Sequence, residues 1–505
     1  MQWQSGWNRE RAGSTEDDME ITPIGWLLVP MGILLAATRP RWLYLFAVFL
    51  LPFTATAVIN IGEGEHASGV QASLYLGSLL LVRTCILLIW RPYIPLPRMG
   101  LSALIWMGIF VAIAVISLVM PIWIDGHIQV PSPRLLDNST QPLYLRSSNI
   151  TGVLYVVLGF GFTSITVLWS RKRNMLNNGL KAFLAGSAFA AAWAIVELGC
   201  KITGIAYPAF LFNTSASGAA HGYREVLEGG IPRLSSVSVE PSVLAQTLLI
   251  AVALYLPFIF GSHSAFGKVV DRCLFVLMLL VLFLSTSSTA YLGIVIGTFV
   301  ALSLLTIRRV LRPKYVFAPF AGFLLLSLLY ATVPVVRQVA ESVLFSKAGG
   351  YSALERLMTV ANAYDMFKKY PILGIGWSSI ASHDLIVNIL ANCGVVGLTA
   401  FLIAIYCSFR ALYLSLSSRP ATFAAVLQPD FASFLALAVN LVACIISGSL
   451  FVFPFFWFLC GFAIAVPDGY VANLTPHKGR VCGETLAARS KLGTAFSASH
   501  QLADS

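Results

Sequence analysis

Apolar residues run in blocks of about 18 to 25 along most of the chain, separated by short polar links. A helix rising about 1.5 Å per residue needs about 20 residues to cross a hydrocarbon core of about 30 Å, and the blocks have that length. They are continuous rather than alternating in units of about ten, so a transmembrane barrel does not fit. The pattern predicts an all-α fold, a polytopic transmembrane bundle of about 13 helices, between about 12 and 14. The helices are expected at 21–37, 42–61, 69–90, 100–124, 149–170, 178–200, 241–262, 272–286, 288–307, 316–335, 384–408, 429–446 and 449–467. Residues 1–20 read as a polar N-terminal segment, 21–467 as the transmembrane domain, and 468–505 as a tail of small and polar residues expected to be disordered. The acidic run Glu16-Asp17-Asp18-Met19-Glu20 does not suit a cleavable signal peptide, so the first apolar block is expected to remain as a helix.

Composition agrees: 57% of the 505 residues are hydrophobic and 11% are charged, against roughly 25% charged in soluble domains. The net charge of +11 does not point to nucleic acid, because the basic residues are scattered through short links. Those links, with Arg39, Arg91, Arg171-Lys172-Arg173, Lys268, Arg308-Arg309 and Arg419, alternate onto one side, which the positive-inside rule makes cytoplasmic together with the tail. The eight cysteines form no CxxC pair and sit mostly in apolar blocks, which indicates neither a disulfide framework nor a metal site.

Three outward segments, 125–148, 201–240 and 336–383, are far longer than ordinary connections and are the expected place for function. Within the third, Leu354, Leu357, Met358, Ala361, Tyr364 and Phe367 recur at helical spacing among Glu355, Arg356, Asp365, Lys368 and Lys369, predicting an amphipathic surface helix ended by Pro371. The second carries Arg233 and ends Val237-Ser238-Val239-Glu240-Pro241-Ser242 at a helix start. Glu240 there reads equally as an ordinary helix-start acid or as a functional carboxylate. The third ends with Pro371-Ile372-Leu373-Gly374-Ile375-Gly376-Trp377 and places His383 where a helix meets water. Arg83 and Glu197 fall inside predicted spans, where ionisable groups usually pair or line a polar path.

Taken together, these strings resemble the O-antigen ligase and polymerase family of bacterial surface-polysaccharide enzymes. The resemblance covers about residues 230–410: Arg233 before the VSVEPS run, Leu284-Ser285-Thr286-Ser287-Ser288-Thr289-Ala290-Tyr291-Leu292-Gly293, Arg356, the PILGIGW run, His383, and Asn392-Cys393-Gly394-Val395-Val396-Gly397-Leu398. It implies transfer of a glycan from a polyprenyl diphosphate to a sugar hydroxyl at the outer leaflet, without nucleotide, metal or other cofactor. By that resemblance His383 matches the family's essential histidine, Glu240 competes with it as the base, and Arg233 and Arg356 look like diphosphate-binding residues. Ser288 stands where many members carry an arginine, which leaves Arg356 to supply that charge, and Asp384 stands where asparagine often follows the histidine. Ser288, Glu197 and Arg83 are supporting candidates.

The resemblance further implies a multi-pass protein of the bacterial inner membrane with its active face periplasmic. Its partners would be the lipid-linked oligosaccharide, membrane lipid, and a chain-length regulator and flippase of the same pathway. The VSVEPS string looks more like the polymerase branch, assembling O-antigen or exopolysaccharide, than like a ligase to lipid A core. A transporter or flippase is the reading from a different class; it predicts inverted repeats and midplane charges, whereas polar density here gathers in outward loops.

Overall fold

The computed structural model describes residues 19–62, 68–90, 97–131, 140–172, 174–216, 233–261, 264–311, 351–448 and 451–474, with Tyr223 and single positions between 324 and 341. Most of the helix expected at 316–335, and residues 475–505, lie outside the described residues. Elsewhere the apolar blocks are helices: α1 (Gly25–Thr38), α2 (Pro40–Phe49), α3 (Ala72–Trp90), α4 (Leu101–Ile116), α5 (Val119–Ile124), α6 (Ser147–Ser170), α7 (Met175–Thr203), α8 (Ala209–Phe212), α9 (Pro241–Phe260), α10 (Lys268–Leu284), α11 (Ser288–Ile307), α12 (Tyr351–Lys369), α13 (Leu385–Ser417), α14 (Phe423–Val426), α15 (Pro429–Ser447) and α16 (Pro454–Leu474). Among the described residues, eight helical segments are long and apolar enough to cross a membrane, with α4 and α5 counting as one. Exposed Ile89, Trp90, Val295 and Phe299 lie on these spans, and Trp26 and Val276 on the shorter helices α1 and α10. Apolar surface of that extent suits lipid rather than water, and the protein is a polytopic helical membrane protein.

Helix α9 is the most enclosed of the spans. It packs on α15, α10, α11 and α7, while α13 runs against α4 and α16 against α6. Aromatic rings fill the interior below one end of the bundle, where Phe110 and Phe451 meet each other and both Trp377 and Phe401, edge-on or tilted, at 5.3–5.8 Å. That end collects the long loops. The opposite end holds Arg171 on Asp468 at 3.2 Å and Arg419 on Asp430 at 2.8 Å, with Arg308 donating to the carbonyl of Arg419. Asp468 belongs to α16, which continues through Pro467 to Leu474 rather than stopping at 467.

One expected helix is corrected. The block at 42–61 is helical only to Phe49, and Ala57–Ile61 is strand β2, paired antiparallel with β1 (Met19–Ile21) and β3 (Ser68–Gln71) in the order β1-β2-β3. Pro52 interrupts the helix, and the β-branched Thr54, Thr56, Val58, Ile59 and Ile61 favour extended backbone. Non-helical chain at membrane depth must bond within protein, and the buried stretch 50–58 does so with distant segments. Ala55 N–H donates to Val237 O at 3.0 Å, Ser215 N–H to Ala55 O at 3.1 Å, and the Thr56 hydroxyl to Phe212 O at 2.6 Å. A second small ribbon, β4 (Gln129–Pro131) with β5 (Thr140–Pro142), lies in the first outward loop. The amphipathic helix expected at 353–370 is α12, over Tyr351–Lys369.

Candidate functional site

The PILGIGW run of the third loop and the Asn392–Leu398 run of α13 interlock through their backbones. Helix α13 breaks at Gly394, whose φ of +64° and ψ of −167° free the carbonyls before it. Ile375 N–H takes Ala391 O at 2.8 Å and Gly376 N–H takes Asn392 O at 3.2 Å, while Val395 N–H returns to Pro371 O at 2.8 Å. The approach is so close that a Cβ at Gly394 would stand 2.0 Å from Ile372 O, and one at Gly374, at φ +66°, would stand 2.5 Å from Ala391 O. Glycine is required at both places by contact as well as by dihedral.

The chain then turns toward His383 under side-chain control. Asn392 Oδ1 accepts from Ser379 N–H at 3.0 Å and its Nδ2 donates to Ile380 O at 2.9 Å. Asn149 at the start of α6 donates to Trp377 O at 2.8 Å, and Trp377 N–H donates to the Ser117 hydroxyl at 2.9 Å. Asp384 is the N-cap of α13, accepting from Val387 N–H at 2.8 Å. Asparagine caps a helix nearly as well, which is the physical reason either residue can follow the histidine.

His383 is half-buried, with its Nδ1 2.9 Å from the hydroxyl of Thr359 on α12. The same hydroxyl lies 2.9 Å from the carbonyl of Arg356. A carbonyl can only accept, so the hydroxyl proton goes to Arg356 O and the hydroxyl oxygen accepts from Nδ1–H. Nε2 is left as the unprotonated nitrogen. Burial pushes the imidazole below its ordinary range, the charge of Arg356 pushes in the same direction, and Glu355 and Glu240 oppose them. These charges come from α12 and from the N-cap of α9, which places Arg356, Glu355 and Glu240 within electrostatic reach of His383.

The carboxylate of exposed Glu240 does not cap its own helix; its Oε2 accepts from the Ser242 hydroxyl at 3.0 Å. Gly448, after α15, lies against the histidine: a Cβ there would stand 3.6 Å from His383 Cα. Its neighbour Ser447 makes a very short hydroxyl contact with Thr289, one residue beyond half-buried Ser288 at the start of α11. Arg233 is half-buried at the head of the segment that ends in Glu240, and its carbonyl accepts from Lys201.

Glu197 lies beneath that segment, fully buried. It pairs with Lys201 at 2.8 Å and accepts from Ser235 N–H at 3.1 Å and Ser236 N–H at 2.6 Å. Ser236 sits at φ +54°, a left-handed turn that the carboxylate holds in place. Val239 N–H donates to Thr54 Oγ1 at 3.1 Å, fixing the last step to Glu240. Replacing Glu197 with alanine would strand two buried N–H groups and the ammonium; a loss of about 2–3 kcal/mol is expected, discounted for the partial exposure of Lys201. Thermal unfolding of the purified protein in detergent reads it, and an unchanged midpoint would show that the clamp carries no stability. Arg83 goes elsewhere: it donates to the carbonyls of Ala36 and Ala37 at the end of α1, away from the loop-bearing end of the bundle.

Residues 273–402 match the family model for O-antigen ligases. The match supports membership of the O-antigen ligase/polymerase family and spans α10 through most of α13, including Ser288, Arg356 and His383. Arg233 and Glu240 lie before it. No curated protein matches the chain. The family indicates O-antigen ligase or polymerase-type function on a lipid-linked oligosaccharide, by a glycosyl-transferring enzyme. Sequence reasoning did not single out Thr359, Thr289, Ser447, Asn149 or Glu355 around the site. Thr359 alone carried a signal, standing three residues after Arg356 and hence on the same face of a helix.

Proposed function

We propose that the protein is a glycan polymerase of the bacterial inner membrane, moving a polyprenyl-diphosphate-linked glycan onto a sugar hydroxyl at the periplasmic face. The observation that carries the reading is the chain of contacts from Arg356 through Thr359 to His383 beside Glu240. Basic side chains gathered at the opposite end, including Arg171 and Arg419, support the orientation. His383 Nε2 takes the proton of the acceptor hydroxyl as that oxygen bonds to the anomeric carbon of the donor. The bond from that carbon to the diphosphate oxygen breaks, and the electron pair leaves with the lipid diphosphate. Charge then grows on the diphosphate, and the guanidinium groups of Arg356 and Arg233 match its oxygens in geometry and sign. Ser288 adds a hydroxyl rather than a charge, which concentrates the demand on Arg356.

Reconstitution in liposomes with a lipid-diphosphate-linked repeat unit tests the proposal. Lengthening of the glycan is expected, and movement of an unaltered substrate would make the protein a flippase instead. In cells without the protein, single repeat units on the lipid carrier are expected; complete chains stranded there would make it a ligase. Thr359→Val is expected to lower the transfer rate about 10- to 100-fold at neutral pH, because the imidazole loses the acceptor for Nδ1–H that sets its tautomer. Thr359→Ser, which keeps the hydroxyl, is expected to restore it. Equal activity of the two variants would remove Thr359 from the mechanism.

A further inference from the structure

A cavity of about 1000 Å³ opens beside the turn that carries His383, and its lining includes Gln141, Arg146, Ser148, Tyr155, Trp377 and Asn388. It is built by the end of β5, the first two turns of α6, the 377–381 turn, the first turns of α13 and the chain after α15. Neither α9 nor α12 contributes to the lining, so the elements bearing Glu240 and Arg356 approach His383 from outside this cavity. The cavity meets this turn at residues 377–381, two residues before His383, which does not itself line it. The charged groups that act on the imidazole, Arg356, Glu355 and Glu240, do not line it either. Among the described residues, Arg146 is the single charged group of the lining and there is no carboxylate.

The guanidinium of Arg146 is itself held in place, donating to Pro142 O at 2.6 Å, while its backbone N–H donates to Asn149 Oδ1 at 2.9 Å. A lipid diphosphate calls for a cluster of cations, which this lining does not offer. It offers aromatic rings from Trp377, Tyr155 and Phe451 beside hydroxyls and amides from Ser148, Thr151, Gln141 and Asn388. That mixture matches a sugar, whose C–H faces pack on rings while its hydroxyls bond to amides and serines. The volume stands at the upper end of the roughly 300–1,000 Å³ range of small-ligand pockets, room for an oligosaccharide rather than one ring.

We infer that this cavity binds the acceptor oligosaccharide and presents its terminal hydroxyl to His383, leaving the charged side to the donor diphosphate. The assignment of acceptor rests on the transferase reading; the assignment of an oligosaccharide rests on the lining alone. The probe is the cell's own repeat-unit oligosaccharide, released from its carrier by mild acid and fluorescently labelled, with the full chain in nanodiscs. Saturable binding by fluorescence anisotropy is expected for the wild type. Ser148→Trp, which places a large ring in the cavity from an exposed first-turn position, and Tyr155→Ala are each expected to weaken binding at least about 10-fold. In the transfer assay the same variants raise KM for the acceptor and leave KM for the lipid-linked donor unchanged. Wild-type protein that does not bind the probe, or variants that bind it within twofold of wild type, would overturn the inference. Binding that is lost in the variants, from a wild type that transfers nothing, would uphold the sugar site and sink the transferase reading instead.

Discussion

Replacement of His383 by alanine is expected to abolish polymer formation while the protein still inserts and folds in the membrane. The residue lies in a polar turn outside the apolar spans, and its neighbours on the turn are fixed by Asn392, Asn149 and Ser117 rather than by the imidazole. Loss of a positioned base costs roughly 100- to 10,000-fold in rate. The expected readout is a polysaccharide gel without long chains, from cells whose membranes hold the variant at the wild-type level. Normal chain lengths would remove the histidine from the chemistry. Glu240→Gln separates the two candidate bases: with His383 as base, transfer persists and its acid limit moves to lower pH, because a negative charge that raises the imidazole pKa is gone. Complete loss in Glu240→Gln, with an active His383→Ala, would reverse the roles.

Arg356→Ala is expected to lower transfer roughly 100- to 1,000-fold, the range for removing one group that stabilises charge developing in a transition state. It carries a second signature in pH. Burial and the arginine charge both hold the imidazole below its ordinary value near 6.5. The neutral form is therefore present at pH 7, and activity falls only as pH drops through that lowered value. Removing the guanidinium leaves burial alone to oppose Glu355 and Glu240, so the pKa rises and the acid limb of kcat/KM moves to higher pH. A rate loss with an unmoved limb would confine Arg356 to binding the diphosphate. A mild effect on both would take it out of the site, and Arg233 would then be the group to replace next.

Much of the candidate site was legible as a set of candidates because its residues stand in short strings whose local chemistry is distinctive. The glycines of the PILGIGW run permit close backbone approach, and the structure shows what approaches: the backbone of residues 391–394. The amphipathic spacing of α12 set Arg356 on a helix at an interface. What the strings could not show was that Thr359 joins Arg356 to His383, because that contact closes across 24 residues through a turn whose path depends on Asn392 and Asn149. Glu197 was legible as a buried charge needing a partner, but its pairing with Lys201 and the backbone of Ser235 and Ser236 depends on the fold of a loop. Arg83 carried the same signal and goes instead to the carbonyls at the end of α1.

By itself the sequence determined that this chain lives in lipid, that it does so as helices, and that its polar chemistry gathers at one end. Those properties follow from transfer free energies summed over neighbouring residues and from the obligation of backbone groups in hydrocarbon to bond within their own segment. The tertiary structure alone decided that 50–58 leaves the helix to lie against 237 and 215, that Glu240 comes within electrostatic reach of a histidine from another loop, and that a cavity flanks the turn before that histidine. Such outcomes depend on pairs of groups far apart in sequence, 186 residues for Ser238 and Pro52 and 260 for Trp377 and Ser117. Local hydropathy and periodicity carry no information about which distant partner will satisfy a buried donor, and only the packed bundle supplies it.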